Sequence, residues 1–239
     1  MFGAERGRKG FKPKECIECH QRVYERDLNQ RVVHSVFKEK NCEACHLRHG
    51  RLPVKTFIYR SEKKLCGQCH KNYDVELDKL PSVHTPLKGV EGKCLICHNS
   101  HGAKEAKLLK EDASQLCLNC HKKVLEEVNM HQPAKTNCLT CHDPHGSKNN
   151  FNLKESEYNL CQTCHNYKSE TFIKAHGEIK ELNKLSCSDC HNPHSGKGKL
   201  IRKVFHAPLA KGCSECHKEG KVLDCFSCHK NRDRFIKNF

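Results

Sequence analysis

Every cysteine of this 239-residue chain lies in the pattern Cys-x-x-Cys-His, and the pattern occurs ten times. The copies pair Cys16 with Cys19, Cys42 with Cys45, Cys66 with Cys69, Cys94 with Cys97, Cys117 with Cys120, Cys138 with Cys141, Cys161 with Cys164, Cys187 with Cys190, Cys213 with Cys216, and Cys225 with Cys228. Two thiols three residues apart can each add to one vinyl group of a single haem, and the next residue then lies under its iron. Zinc ribbons and redox disulfides also use Cys-x-x-Cys, but neither needs a His after every second Cys. The pattern therefore points to ten covalently bound haem c groups. Their proximal ligands are His20, His46, His70, His98, His121, His142, His165, His191, His217 and His229.

The composition suits a chain whose interior is cofactor. Hydrophobic residues make up 36%, the twenty Cys are counted among them, and Trp is absent. So polar a chain cannot offset its backbone entropy alone. The porphyrin faces have to supply the buried surface, and the apo chain is expected to be largely unfolded, with attachment and folding coupled. The expected fold is mostly irregular with short α-helices, haem-cored and elongated, with almost no β-sheet. The formal charge of +15 invites a nucleic-acid or anionic-membrane reading. Ten haems would bring twenty propionate charges, taking the sum to about −5 ferrous or about +5 ferric, so the Lys and Arg serve to balance propionates and no nucleic-acid partner is expected. No run of 18 apolar residues exists, so no transmembrane helix is expected. The start, MFGAERGRKGF, contains no apolar stretch like a signal peptide. Covalent haem attachment takes place outside the cytoplasmic membrane, so a sequence with its leader removed is expected, from a protein that is exported.

The chain is a degenerate repeat with a period of roughly 44 to 52 residues. One unit reads His, a short gap, Cys-x-x-Cys-His-x-x-His-Gly, about a dozen residues, then Leu-Cys-x-x-Cys-His. The expected organisation is one continuous unit over 1–239. It comprises a lone haem in 1–30, two-haem units in 31–76, 77–128 and 129–170, and a three-haem part in 171–239. The linkers 104–115 and 178–185 read as short helices or polar turns, and Pro86, Pro133, Pro208, Gly89 and Gly212 punctuate the stretches near each upstream His. No sustained strand alternation is present.

Nine His lie outside the motifs, and none is scattered. His34, His84, His131, His176 and His206 stand 7 to 11 residues before a first motif of a unit, and His49, His101, His145 and His194 stand three after a motif His. A lone His is as often a solvated or satisfied residue as a ligand, but nine at repeat positions read as distal iron ligands. Two imidazoles give a six-coordinate iron suited to electron transfer. In His-x-x-His the second ring cannot reach the far face of a haem tethered to the first, so each such segment holds two haems. The upstream His is expected to serve the first motif of its own unit, and the downstream His a second motif. Nine His leave one of ten haems without a distal partner. If the downstream His reaches forward, as its constant 16–17 residue gap to the next motif suggests, that haem belongs to His20; if backward, to His229. The forward direction is the preferred expectation. Water, a Lys, the N-terminal amine or a partner's His could complete the odd site.

The unit His…Cys-x-x-Cys-His-x-x-His-Gly…Leu-Cys-x-x-Cys-His resembles the doubled Cys-x-x-Cys-His family of multihaem cytochromes c over nearly the whole chain. By haem count and size the chain also resembles the decahaem cytochrome subunits of porin–cytochrome electron conduits. That resemblance implies respiratory or extracellular electron transfer, a periplasmic or outer-membrane-associated and even extracellular location, other redox cytochromes as partners, and an outer-membrane β-barrel porin as a sheath. At about 10 Å per haem, ten in file would reach ~100 Å, beyond the 40–45 Å of a bilayer. The bare polar chain could not meet lipid without such a barrel.

The leading expectation is thus an electron-transfer wire, an electron carrier with no catalytic residue. One alternative is a reductase for nitrogen or sulfur oxyanions at the haem without a distal His. Against it, no motif has Lys in place of His, as in some multihaem nitrite reductases. The other alternative is a subunit of an extracellular cytochrome filament.

Overall fold

The computed structural model of the chain describes residues 14–48, 57–73, 75–176 and 186–202, with the short strands His217–Lys218 and Lys221–Val222. The expectations for His49, for the linker 178–185, and for His206, Cys213, Cys216, Cys225, Cys228 and His229 lie outside the described residues; His217 is described as backbone only. The chain divides into two compact units, Met1–Cys117 and Leu118–Phe239.

The two motif positions of a repeat fold differently. The first opens on a single 3₁₀ turn, at Cys42–Ala44, Cys94–Ile96, Cys138–Thr140 and Cys187–Asp189. The second ends a short α-helix, at Glu62–Gly67, Ala113–Leu118 and Glu157–Gln162. These helices start where a short polar side chain caps them. Ser61 accepts from the Lys64 amide at 3.2 Å, Asp112 from Ser114 at 2.9 Å, and Ser156 from Asn159 at 3.3 Å. In both classes the motif His amide donates to the carbonyl of the first Cys, for example His46 to Cys42 at 2.9 Å and His70 to Cys66 at 2.9 Å. That turn fixes both sulfurs and the imidazole on one small surface. The lone first motif sits in the helix Cys16–Leu28, which breaks at His20 (φ −108°, ψ 24°).

After each first motif the chain doubles back. His46 bridges antiparallel to Phe57, His98 to Leu109, His142 to Leu153 and His191 to Ile201. The turns that allow this have left-handed residues that are not glycine. Lys107 and Leu108 have φ of 57° and 59°, Phe151 and Asn152 57° and 56°, and Leu200 60°. Each such residue costs about 1 kcal/mol. Linker 104–115, expected to be helix or polar turn, is therefore this strained turn followed by the start of the next helix.

Strands are only two residues long. Val32–Val33 pairs antiparallel with Gly102–Ala103, and Asn129–Met130 with Ser195–Gly196. Each joins the stretch before an upstream His to the stretch after a downstream His of the following repeat. The fold is mostly irregular with short helices, as the sequence leads one to expect. No described helix is long and apolar enough to cross a membrane. Among the described residues the buried hydrophobic side chains are Leu65, Leu77 and Ala103, and Asp27, Ser61, Lys63 and Ser195 are buried polar ones. Lys63 Nζ meets Asp78 Oδ1 at 2.6 Å and donates to the Gly89 carbonyl at 3.3 Å, tying its helix to the segment that leads into Cys94.

Acidic side chains at the helix starts hold successive motifs together. Glu62 Oε2 accepts from the Leu95 amide at 2.8 Å, and Glu157 accepts from the Ser188 amide and from the Ser186 and Ser188 hydroxyls. Burial pushes the Glu157 carboxyl up, but the Ser186 and Ser188 hydrogen bonds outweigh it and hold the group below its usual range. Replacing Glu157 by Gln should destabilise the holoprotein by about 1–3 kcal/mol at neutral pH. The folded pKa lies below the unfolded one, so this difference is fully present above roughly pH 4.3 and fades as pH falls through the folded value. Denaturation curves of both proteins at pH 7 and pH 3 check it. Separately, Leu108→Val places a β-branched side chain at φ 59° and should cost at least ~1 kcal/mol relative to Leu108→Gly, read from the same curves.

Candidate functional site

Imidazoles of the described residues face each other in pairs. Ring centres are 6.2 Å apart for His34 and His70, 6.1 Å for His46 and His101, 6.0 Å for His131 and His165, 5.9 Å for His142 and His194, and 6.0 Å for His176 and His191. Each pair joins one motif His to one of the other nine. A metal–imidazole bond is about 2 Å, and the ring centre lies ~1.2 Å beyond the nitrogen, so two imidazoles on opposite sides of one iron put their centres roughly 6 Å apart. Aromatic pairs in general spread over about 4.5–7 Å. Here the pairs fall within a few tenths of an ångström of one value, and it is close to the value bis-imidazole ligation requires.

The pairing differs from the expected one. His34 faces His70, and His131 faces His165: the upstream His meets the second motif of its own repeat, not the first. His101 and His194 reach neither forward nor back to a second motif. They face His46 and His142, the first-motif His of the preceding repeat. The truncated repeat, which has no second motif, pairs its upstream His176 with its first-motif His191. The reason is the β-pairing, which carries each downstream His across to its neighbour repeat: His34 N–H donates to the His101 carbonyl at 2.9 Å, and His131 N–H to that of His194 at 2.8 Å. His191 and His194 face two different partners, so this His-x-x-His segment contributes to two ring pairs.

The protein holds one nitrogen of several of these rings, and of His98. Carbonyl oxygens only accept, so each Nδ1 beside one is a donor and Nε2 is the atom left for a metal. His98 Nδ1–H donates to the Lys107 carbonyl at 2.9 Å, His142 to Phe151 at 2.9 Å, His191 to Lys199 at 3.0 Å, His131 to Pro193 at 2.9 Å and His176 to Phe172 at 3.1 Å. Lys107 and Phe151 are the left-handed residues of the return turns, so the strain there turns a carbonyl toward the ring. His101 alone among these donates to a carboxylate, Asp27 Oδ2, at 3.1 Å. Phe37 stacks on His101 at 4.5 Å and Phe172 on His176 at 4.1 Å. Burial, and then the neighbouring His70, push the His34 imidazole toward its neutral form; burial and His142 do the same to His194. Neutral imidazole is the ligating form.

Motif reasoning overlooked several supporting residues. Asn99, Asp143 and Asn192, each directly after a motif His, accept from the amide of the downstream His at 3.3, 2.9 and 3.1 Å. Asn or Asp at that place is a turn signal readable in the sequence. Asp27 and Phe37 have no such signal.

The sulfurs cluster too. Cys66 hydrogen-bonds Cys94, Cys161 hydrogen-bonds Cys187, and Cys16 hydrogen-bonds Cys42. Those contacts join the second motif of one repeat, or the lone motif, to the first motif of the next. Cys45 lies close enough to Cys69, and Cys141 to Cys164, to interact electrostatically, which joins the motifs within a repeat. In two of these pairs the bond favours one thiolate: the bond from Cys66 lowers Cys94, and the bond from Cys161 lowers Cys187 to about 7, with Cys161 raised in return.

These residues fit haem c. Two thiols and one imidazole come from one turn, and a second imidazole stands opposite at the bis-ligated distance, which leaves the plane between for a macrocycle. Comparison with known proteins agrees. The doubled CXXCH motif matches residues 34–75, 84–126, 131–170 and 176–222, and each match starts at an upstream His. Eight of the ten motifs begin within the matched segments. The chain is also 30% identical over 108 residues to the multiheme cytochrome MtrA of Shewanella baltica (strain OS185). That similarity covers 44% of the chain and 31% of the relative, so only about a third of the relative's length is matched.

In the holoprotein, His194→Ala should leave the haem mass unchanged, because Cys138 and Cys141 remain, and should turn one low-spin ferric signal high-spin in electron paramagnetic resonance. An unchanged spectrum would contradict the His142–His194 pairing.

Proposed function

The chain belongs to the doubled CXXCH family of multihaem c-type cytochromes, and from that premise we propose that it is an electron-transfer wire of ten haem c groups, with no substrate of its own. Haem c supplies the one-electron ferric/ferrous couple when bound. The twenty Cys tether it, the ten motif His ligate from one side, and the nine other His ligate from the other. The observation that carries this reading is that the facing pairs among the described residues join a motif His to a non-motif His at one distance. With both axial positions held by imidazole, no position is left for a substrate, and little rearranges on reduction.

Within each unit the sulfur contacts support an order of sites that follows the sequence, running from the motif of Cys16 through those of Cys42 and Cys66 to that of Cys94, and from the motif of Cys138 through that of Cys161 to that of Cys187. The segment His191 to His194 supports the same reading, since its two rings face two partners within one turn. We take residues 1–239 as one continuous haem-cored unit because the Cys-x-x-Cys-His repeat runs the length of the sequence. Extended along the repeat, the register seen at His101 and His194 would give His49 to the site of His20. The motif His without a counterpart in this sequence then falls in the C-terminal part, at His217 or His229, and not at His20 as the forward direction would have it.

The pathway is read from resemblance. The partial similarity to a multiheme cytochrome MtrA supports an exported protein, periplasmic or outer-membrane-associated, that exchanges electrons with other redox cytochromes. An outer-membrane β-barrel would sheath it if it enters the membrane.

The test is voltammetry of the holoprotein fixed to an electrode through one terminus. Replacing Cys94 and Cys97 by Ala removes one mid-chain tether pair. A wire should lose far more than one haem's share of fast electron exchange. Loss of a single share would mean that the sites act separately and would overturn the proposal.

A further inference from the structure

The two interlocked strand pairs are structural twins that differ at one charge. In both, the upstream His amide donates to the downstream His carbonyl, for His34 on His101 and for His131 on His194. Seven residues before the upstream His stands Asp27 in the first and Val124 in the second. In the second, Ser195, only 1% exposed, donates its hydroxyl to the Val124 carbonyl at 2.8 Å. In the first, the matching residue is Gly102, where a side chain would collide with the Asp27 carbonyl. The helix Cys16–Leu28 therefore presses directly on the backbone beside His101, and brings a carboxylate to its ring.

That carboxylate is 3% exposed. Asp27 Oδ2 accepts from His101 Nδ1–H at 3.1 Å, while Arg26 donates Nε to Oδ1 at 2.7 Å and Nη2 to Oδ2 at 2.9 Å. The Arg26 side chain is 66% exposed, so solvent screens the guanidinium while the carboxylate faces the ring in a dry setting. Asp143 stands near His145, but its Oδ1 is 3.6 Å from the ring nitrogen, beyond hydrogen-bond range, and instead accepts from the His145 amide.

We infer that Asp27 is a positioning residue that sets the potential of the site formed by His46 and His101, holding it below the sites whose rings donate to carbonyls. A carboxylate on the Nδ1–H, even one shared with Arg26, makes His101 a more basic ligand through Nε2. A more basic axial ligand favours ferric over ferrous iron and lowers the reduction potential. A carbonyl dipole, as at His131 or His176, does this less. The wire then has one built-in step of low potential near the first motifs. This rests on the reading of His46 and His101 as ligands of one iron.

The experiment is a spectropotentiometric titration of the holoprotein and its variants, with haem mass and spin state recorded for each. Asp27→Asn keeps the shape and removes the charge. It should move one haem's component to higher potential by about tenfold in its reduction equilibrium, or ~59 mV for one electron, with haem mass and low-spin content unchanged. Arg26→Gln, at an exposed side chain, keeps the carboxylate and should move that component the other way; this arm stands should Asp27→Asn fail to fold. Ser195→Ala disturbs the twin interlock without a charge change and should move nothing. If neither Asp27→Asn nor Arg26→Gln shifts a component, the inference is overturned and the ligand pairing survives. If His101→Ala creates no high-spin haem, the pairing itself fails.

Discussion

An imidazole has two ring nitrogens, and the rest of this structure depends on committing one to the protein and keeping the other for iron. His98, His142 and His191 give Nδ1–H to carbonyls eight or nine residues further on, in turns that double back on the motif. His131 and His176 give theirs to Pro193 and Phe172. A ring held in this way has a fixed tautomer and a fixed direction before any metal arrives. The left-handed residues at Lys107 and Phe151 are the local cost of aiming those carbonyls.

Repetition turns this local device into a chain. A two-motif repeat completes only one of its own pairs. Its first motif receives an imidazole from the next repeat, as His46 does from His101 and His142 from His194. Its second motif receives one from its own upstream His, as His70 does from His34 and His165 from His131. The interlock needs only two-residue strand pairs, because ligand bonds in the proposed sites would carry the load that a sheet or an apolar core carries elsewhere. The short list of buried hydrophobic side chains, Leu65, Leu77 and Ala103 among the described residues, is in keeping with that division of labour.

Much of the site was legible in the sequence and much of its wiring was not. The Cys-x-x-Cys-His spacing is covalent chemistry written locally, so the tethers and proximal His could be read directly. The nine further His stood out by their repeat positions. Their partners did not, because sequence nearness favours His34 with His46, whereas Val32–Val33 pairs with Gly102–Ala103 a full repeat away. Two residues of strand leave no alternation to detect. The return turns were hidden as well, since Lys107, Leu108 and Phe151 are not residues that advertise a left-handed backbone. The caps Ser61, Asp112 and Ser156 carried an ordinary helix-start signal. Asp27 carried none: only the fold brings it to His101.

The central claim is that the interior of this protein is thioether-bound iron porphyrin, one group for each Cys-x-x-Cys-His. The most direct measurement is the intact mass of the native chain under denaturing conditions, with its metal content. The account predicts a mass increased by ten covalently attached haems, and iron at ten per chain. An unmodified polypeptide mass, or zinc in place of iron, would contradict it.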